Sequence, residues 1–353
     1  MSAVARPRVL IASPLEAALA ARIQAADPRA EVRYEPDLLP PARYPGDHLG
    51  DPAFRRDPGD EGRWRVLLEQ AEVLFGIPGD SADGLAEVVT GLPGLRWVHA
   101  TSAGAGEVVR NAALPAEALE RVVVTTSSGV HAVALAEFAI LGLLAVAKEL
   151  PRLVEDQRAR AWPEVRHPVR ELSGQTLFLV GLGEIGRETA RLGKALGMRT
   201  VGFRRTEGPP PTHVDEVHGP QRLADLAGRA DAMVVSLPLT EQTAGLIDRV
   251  TIERLPPSCI FVNVGRGGVV DEPALVEALR TGRITGAVLD VFATEPLPAD
   301  SPLWTLPNVL VSPHAAALSA RENERIVELF VDNLGRYLDG RPLRNLVEPG
   351  VFY

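Results

Sequence analysis

Three glycines and three charged residues, far apart in this 353-residue chain, are the positions whose types and spacing could do chemistry. Gly181, Gly183 and Gly186 stand at G-x-G-x-x-G spacing between an apolar run at 177–180 and a second run at 201–203, which reads as strand, turn, helix, strand. One glycine permits the tight turn, one lets backbone approach a pyrophosphate, and one lets helix pack on strand. A helix opening near Glu184 turns its unpaired amides and positive dipole end toward the phosphates, so the Glu184 and Ile185 backbone is the expected contact. Ile185, Thr189, Leu192 and Leu196 share the face expected to be buried. This context predicts a dinucleotide site, against the plainer reading of an ordinary glycine turn.

The residues after the second strand bear on which dinucleotide. An Asp or Glu here accepts from the ribose 2′-hydroxyl of NAD, whereas the extra phosphate of NADP needs cations. The chain offers Arg204, Arg205 and Thr206, with no acid until Glu207. NADP is therefore expected over NAD, although a pair of solvated arginines would leave the choice open.

Arg266, Glu295 and His314 follow successive late strand-like runs, in FVNVGRGGVVDE, GAVLDVFATEPLP and VLVSPHAAA. Strand ends of one edge are where the cofactor of such a sheet lies. Singly they read as a surface arginine, a solvated glutamate and a hydrogen-bonded core histidine. Together they supply an anion clamp, a carboxylate and a proton donor at one rim.

The elements that must position these groups come from strand–helix alternation. Runs at 9–11, 32–34, 73–75, 95–98 and 122–124, with a helix near 15–23, predict a small parallel sheet flanked by helices. A second alternation adds strands at 233–236, 260–264, 287–289 and 309–311. The length suits two domains, which can form a cleft. An Ala- and Leu-rich helix over 132–147, introduced by Ser127, Ser128 and Gly129 and ended by Pro151, is long enough to cross between them. It carries Glu137 and is too short to span a bilayer. Ser319 with Glu322 predicts a capping box for a last helix with an Ile326, Val327, Phe330, Val331, Leu334 stripe, which would return to the first domain. Residues 40–62, rich in Pro, Gly, Asp and Arg, are expected to be an exposed loop, a lid or subunit contact, or else disordered. Thr101–Gly106 (TSAGAG) would follow a strand end as a backbone nest for a carboxylate or as a plain turn.

Bulk composition narrows the partners. A net charge of −9 argues against nucleic-acid and membrane binding. The single cysteine, Cys259, excludes an intrachain disulfide and any multi-cysteine metal site, no His or Cys spacing suggests zinc, and no signal peptide is evident. No metal and a reducing cytoplasm are expected.

The order GLGEIG, SLPLTEQTAGLI, FVNVGRGGVVDEPALVEAL, GAVLDVFATEPLP, PH resembles the D-isomer-specific 2-hydroxyacid dehydrogenases, which include glyoxylate, hydroxypyruvate and phosphoglycerate dehydrogenases. The likeness is continuous from about residue 128 to 317, and the first hundred residues match only in general pattern. It implies an α/β fold of two Rossmann/flavodoxin-like, doubly wound parallel-sheet domains with a cleft between them. The dinucleotide domain would be 128–318, inserted into a discontinuous substrate-binding domain of 1–127 and 319–353, usually in a homodimer. By motif, Arg266 would bind the substrate carboxylate and carbonyl oxygen, His314 would be the acid/base, and Glu295 its partner. Leu237, Pro238 and Thr243 would touch the cofactor, Val264 and Gly265 the nicotinamide ribose, and Asp290 the carboxamide. Ala103 and Gly104 would supply the backbone carboxylate site.

Three departures stand out: Arg204 occupies the usual acidic ribose position, Ala317 replaces a glycine common in relatives, and residues 40–62 have no counterpart, which leaves substrate size open. The implied reaction is hydride transfer between NAD(P)H and C2 of a small 2-oxo acid of glyoxylate or hydroxypyruvate type, giving a 2-hydroxy acid, D by resemblance. Negative charge building on the carbonyl oxygen needs a proton donor, the role of His314. Arg266 can hold a planar carboxylate through two parallel hydrogen bonds. Two alternatives remain from resemblance: a dinucleotide-sensing, corepressor-like protein, and a formate or phosphite dehydrogenase. Trp97, Trp304 and the 40–62 segment are candidate pocket walls.

Overall fold

The computed structural model describes residues 6–206 and 208–348, and by chain contact it divides into two compact units, 1–130 with 318–353, and 131–317. In the first unit, β1 (Arg8–Ile11), β2 (Glu31–Arg33), β3 (Val73–Phe75), β4 (Trp97–His99) and β5 (Val123–Thr125) form an all-parallel sheet in the order β2-β1-β3-β4-β5. The chain moves outward from β1 in both directions, the doubly wound pattern. Strands of VLI and VLF type are buried on both faces because helices cover both. One face is closed by the helix Glu322–Leu338, whose Ile326, Val327, Phe330 and Leu334 pack with Val9, Ile11, Val73, Phe75 and Trp97. Phe330 lies 5.1 Å from Trp97, stacked, and 5.1 Å from Phe75, edge-on.

The second unit holds β6 (Thr176–Val180), β7 (Arg199–Phe203), β8 (Glu216–His218), β9 (Ala232–Val235), β10 (Ile260–Asn263), β11 (Gly286–Leu289) and β12 (Val309–Val311). Their order is β12-β11-β10-β9-β6-β7-β8, again parallel throughout. After β8 the chain crosses back over β6 to start β9, so the switch in winding direction falls between β6 and β9. The apolar helix Ala132–Ala147 packs into the core on one face of this sheet through Leu135, Ala139 and Leu143. Its Gly142 lies so close to Val288 that an added Cβ would come within 2.8 Å of it. Among the described residues, no helix is long and apolar enough to cross a membrane.

Several expectations need correction. The helix starts three residues after Ser319, at Glu322, with Arg321 in the cap position; Ser319 Oγ accepts from the Arg321 amide at 3.2 Å and its carbonyl from the Glu322 amide at 2.9 Å. A capping box needs the serine directly before the helix, and here a turn intervenes. Pro151 does not end the apolar helix. That helix stops at Ala147, and Pro151 sits in the first turn of the next, Leu150–Ala159, where its missing N–H costs nothing. Residues 58–62 are no loop but the opening of the helix Pro58–Gln70, capped by Asp57, which accepts from the Gly59 and Asp60 amides. The stretch before it is tied down. Buried Asp47 accepts from Arg43 Nε at 2.7 Å and from the Gly50 amide, and buried His48 bonds Asn323 at 2.8 Å. Trp97 is fully buried core rather than pocket wall, whereas Trp304 is half exposed. Strand β8, Glu-Val-His, carries no apolar run that sequence reading could detect.

Candidate functional site

The glycine turn lies at the end of β6, at the switch point, where open α/β sheets leave a crevice for ligands. Gly181 has φ +111°, a left-handed value that a side chain would strain, and its carbonyl accepts from Ser236 Oγ at the end of β9. A Cβ on Gly186 would fall 1.9 Å from that same carbonyl, so only glycine lets the helix Glu184–Ala195 start this close to the strand. Gly183 differs: an added Cβ would meet nothing within 4 Å. It caps the helix without any side-chain bond, so no cap side chain occupies the amides of the first turn. The buried helix face is Gly186, Thr189, Ala190 and Gly193, with Ile185 and Leu196 only partly buried beside it. Leu192 does not join the buried set, because close packing on the helix Ala132–Ala147 favours the small side chains.

At the end of β7, the Arg204 amide bonds the His218 carbonyl at 3.2 Å and its Nη2 donates to the Pro209 carbonyl at 3.2 Å. Its Nε is buried and has no hydrogen-bond acceptor among the described residues. Arg205 is exposed, and Glu207 lies outside the described residues. After β9, Leu237 and Pro238 open a turn that Thr243 staples: its Oγ1 donates to the Pro238 carbonyl at 2.6 Å and accepts from the Thr240 amide at 2.8 Å. Gly265 packs against the Leu237 backbone, where a Cβ would come within 2.6 Å. The β9 and β10 loops are thus in direct contact.

Parallel register then sets the remaining groups side by side. Asn263, Leu289 and Val311 end β10, β11 and β12 in neighbouring positions. Arg266 follows the first by three residues, Glu295 the second by six, and His314 the third by three. Asn263 shapes the turn before Arg266, its Oδ1 accepting from the Gly265 amide and its Nδ2 donating to the Arg266 carbonyl. Gly267 abuts the next loop so tightly that a Cβ would lie 1.8 Å from the Phe292 carbonyl carbon.

His314 Nδ1 lies 2.7 Å from Glu295 Oε2. A carboxylate only accepts, so Nδ1 is the donor and Nε2 is the position that can exchange a proton. Glu295 Oε1 accepts from the Phe292 amide at 3.0 Å, and Glu272 accepts from the Ala293 amide at 2.9 Å, fixing this loop from two sides. Partial burial pushes the Glu295 carboxyl up, but the hydrogen bonds from His314 and the Phe292 amide and the nearby His314 and Arg266 charges outweigh it. The group is held below the ordinary carboxylate value. Asp290 is buried, and its Oδ1 accepts from Ser312 Oγ and from the Ala315 and Ala316 amides.

Arg266, Glu295, His314, Val264, Gly265 and Asp290 therefore gather at the carboxyl edge that also carries the glycine turn. Ala103 and Gly104 belong to the first unit, between β4 and the short helix Ala105–Asn111, with Gly104 in the cap position. Asn263, Glu272 and Ser312 were not singled out from sequence. Asn263 alone left a signal there, as a polar residue inside an otherwise apolar strand.

Residues 140–316 match the family described as D-isomer specific 2-hydroxyacid dehydrogenase, NAD binding domain. A glyoxylate reductase of Korarchaeum cryptofilum is 34% identical over 298 residues, 81% of this chain and 86% of that protein. A solved D-isomer specific 2-hydroxyacid dehydrogenase family protein from Aeromonas salmonicida shares 29% identity with TM-score 0.77, covering 97% of this chain and 99% of its own. A D-isomer specific 2-hydroxyacid dehydrogenase from Xanthobacter autotrophicus, solved with NADPH and MES, shares 30% identity with TM-score 0.75, covering 99% and 100%.

Proposed function

The chain belongs to the D-isomer-specific 2-hydroxyacid dehydrogenase family, and from that premise we propose that it reduces small 2-oxo acids of glyoxylate or hydroxypyruvate type with NADPH. It is an NAD(P)-dependent oxidoreductase of 2-oxo and 2-hydroxy acids. Neither the sensor nor the formate or phosphite alternative is favoured. The observation that carries the reading is the His314–Glu295 pair at 2.7 Å beside Arg266, on the edge that holds the glycine turn.

The residues present fit a dinucleotide. Open space over Gly183 and the uncapped helix start would take the pyrophosphate, and Arg204 and Arg205 the 2′-phosphate. Leu237, Pro238, Val264, Gly265 and Asp290 would hold the nicotinamide end. When bound, the reduced nicotinamide supplies a hydride to C2 of the oxo acid. Arg266 holds the substrate carboxylate and draws charge toward the carbonyl oxygen. His314 delivers the Nε2 proton to that oxygen as negative charge develops, and Glu295 keeps the ring oriented.

We assign the D-2-hydroxy acid as product, a cytoplasmic setting and a homodimer. Fractionation of the source cells would check the compartment. Trp162, 87% exposed, and Val165, 69% exposed, lie in one stretch with exposed Leu150, Leu153 and Val169, apolar surface suited to a second copy. A solution mass of one chain, 37.8 kDa, would count against it. The test of function is NADPH and NADH oxidation with glyoxylate, hydroxypyruvate, pyruvate and phenylpyruvate, with chiral chromatography of the product. Consumption of neither nucleotide with any of them would end the reading.

A further inference from the structure

His314 has φ +54°, left-handed backbone that a residue with a Cβ adopts only when its surroundings impose it. Hydrogen bonds to one neighbouring residue impose it. The His314 amide donates to the Asp290 carbonyl at 2.9 Å. On the other side of the same residue, Asp290 Oδ1 collects Ser312 Oγ at 2.6 Å, the Ala315 amide at 2.9 Å and the Ala316 amide at 3.0 Å. Asp290 is 1% exposed, so these bonds form away from competing water. The Ser312 amide itself bonds the Leu289 carbonyl at 2.9 Å, continuing the β11–β12 ladder. The backbone on both sides of His314 is thus tied to one aspartate, while its ring is tied to Glu295.

We propose that Ser312 and Asp290 form a latch that holds His314 in its left-handed turn and aims Nε2, making Ser312 a positioning residue for the reaction. The inference rests on His314 being the proton donor. It also gives Asp290 a task besides the carboxamide contact implied by resemblance. All three loop bonds end on Oδ1, so such a contact would fall to Oδ2 and the two tasks are compatible. Ser312 is the informative member because its hydroxyl serves the latch and takes no part in the cofactor or substrate contacts assigned above. Removing that hydroxyl leaves Asp290 with two backbone amides, which hold the turn less firmly than three donors. A donor displaced by a fraction of an ångström from the carbonyl oxygen loses rate without losing ligand affinity.

The test uses the full-length enzyme with glyoxylate and NADPH, and turnover is counted per NADPH-binding site titrated by fluorescence. Ser312→Ala is expected to lower kcat per site about 10-fold to 100-fold, with the NADPH dissociation constant within about twofold of wild type, and Ser312→Thr to restore kcat. Loss confined to the number of sites, at unchanged turnover per site, would assign Ser312 a merely structural role and overturn the latch. Ser312→Cys, of similar size but a weaker donor, reads the same quantities if the alanine variant does not fold. Intermediate turnover per site supports the latch, and wild-type turnover overturns it. His314→Ala separates the two levels. Collapsed turnover there beside wild-type kcat in Ser312→Ala removes the latch alone, whereas active His314→Ala removes the proton-donor reading on which it stands.

Discussion

Arg204 is the residue whose surroundings speak most directly to cofactor choice. Its guanidinium is partly buried, bonded to one carbonyl, and keeps a buried Nε–H without an acceptor among the described residues. A buried donor left unpaired is costly, and a phosphate oxygen is the kind of acceptor that would relieve it. An aspartate at this position would repel a 2′-phosphate and accept from a 2′-hydroxyl instead. Arg204→Asp is therefore expected to lower the NADPH-to-NADH ratio of kcat/KM by about 10-fold or more, the scale of one charge-assisted contact. Parallel steady-state assays with both nucleotides check this, and an unchanged ratio would reduce the arginine to surface charge.

At the scale of elements, the site is a product of parallel register. Strands β10, β11 and β12 end level with one another, so short loops after each deliver Arg266, Glu295 and His314 to one edge. The loops are then pressed together at Gly267, where a single methyl group has no room beside Phe292. Gly267→Ala must push the Arg266 turn away from the Glu295 loop. Overpacking of this kind costs about 1–3 kcal/mol, and displacement of the anion clamp should lower kcat/KM by about 100-fold or more. Thermal unfolding and the oxo-acid assay together read both effects. Activity within a factor of about two would show that the loops tolerate separation.

For the whole molecule, acid sensitivity is built into the core of the first unit. His99, fully buried in β4 among Phe75, Trp97 and Phe330, bonds Thr125 Oγ1 at 2.8 Å, and burial pushes its pKa down to about 3. The unfolded chain takes up the proton below about pH 6.5, whereas the folded chain excludes it until about pH 3. Between those values folding stability falls as pH drops, by about 1.4 kcal/mol per pH unit from this one group. Going from pH 7.5 to pH 5 should therefore cost the wild type about 2 kcal/mol that a His99→Gln variant does not lose. Denaturant unfolding of both proteins at the two pH values tests this through the difference in slope, whatever the variant's absolute stability.

Much of this was written in local sequence. The β6 run, the G-x-G-x-x-G turn and the helix start near Glu184 depend on contacts a few residues apart, and short apolar runs located the buried strands within a residue or two. Ser319, Pro151 and the 40–62 segment read differently in the fold because their roles depend on where a neighbouring helix begins and on distant partners such as Asn323 for His48. Strand β8 stayed hidden because its burial is partial and its residues are polar. The types of Arg266, Glu295 and His314 and their order along the chain were set by sequence alone. The 2.7 Å pair between two of them, the Asp290 oxygen that gathers the His314 loop and the lack of room for a methyl group at Gly267 were decided only by tertiary structure. The physical reason is that each joins loops from different strands, whose spacing is fixed by sheet register and packing rather than by any local preference of the residues themselves.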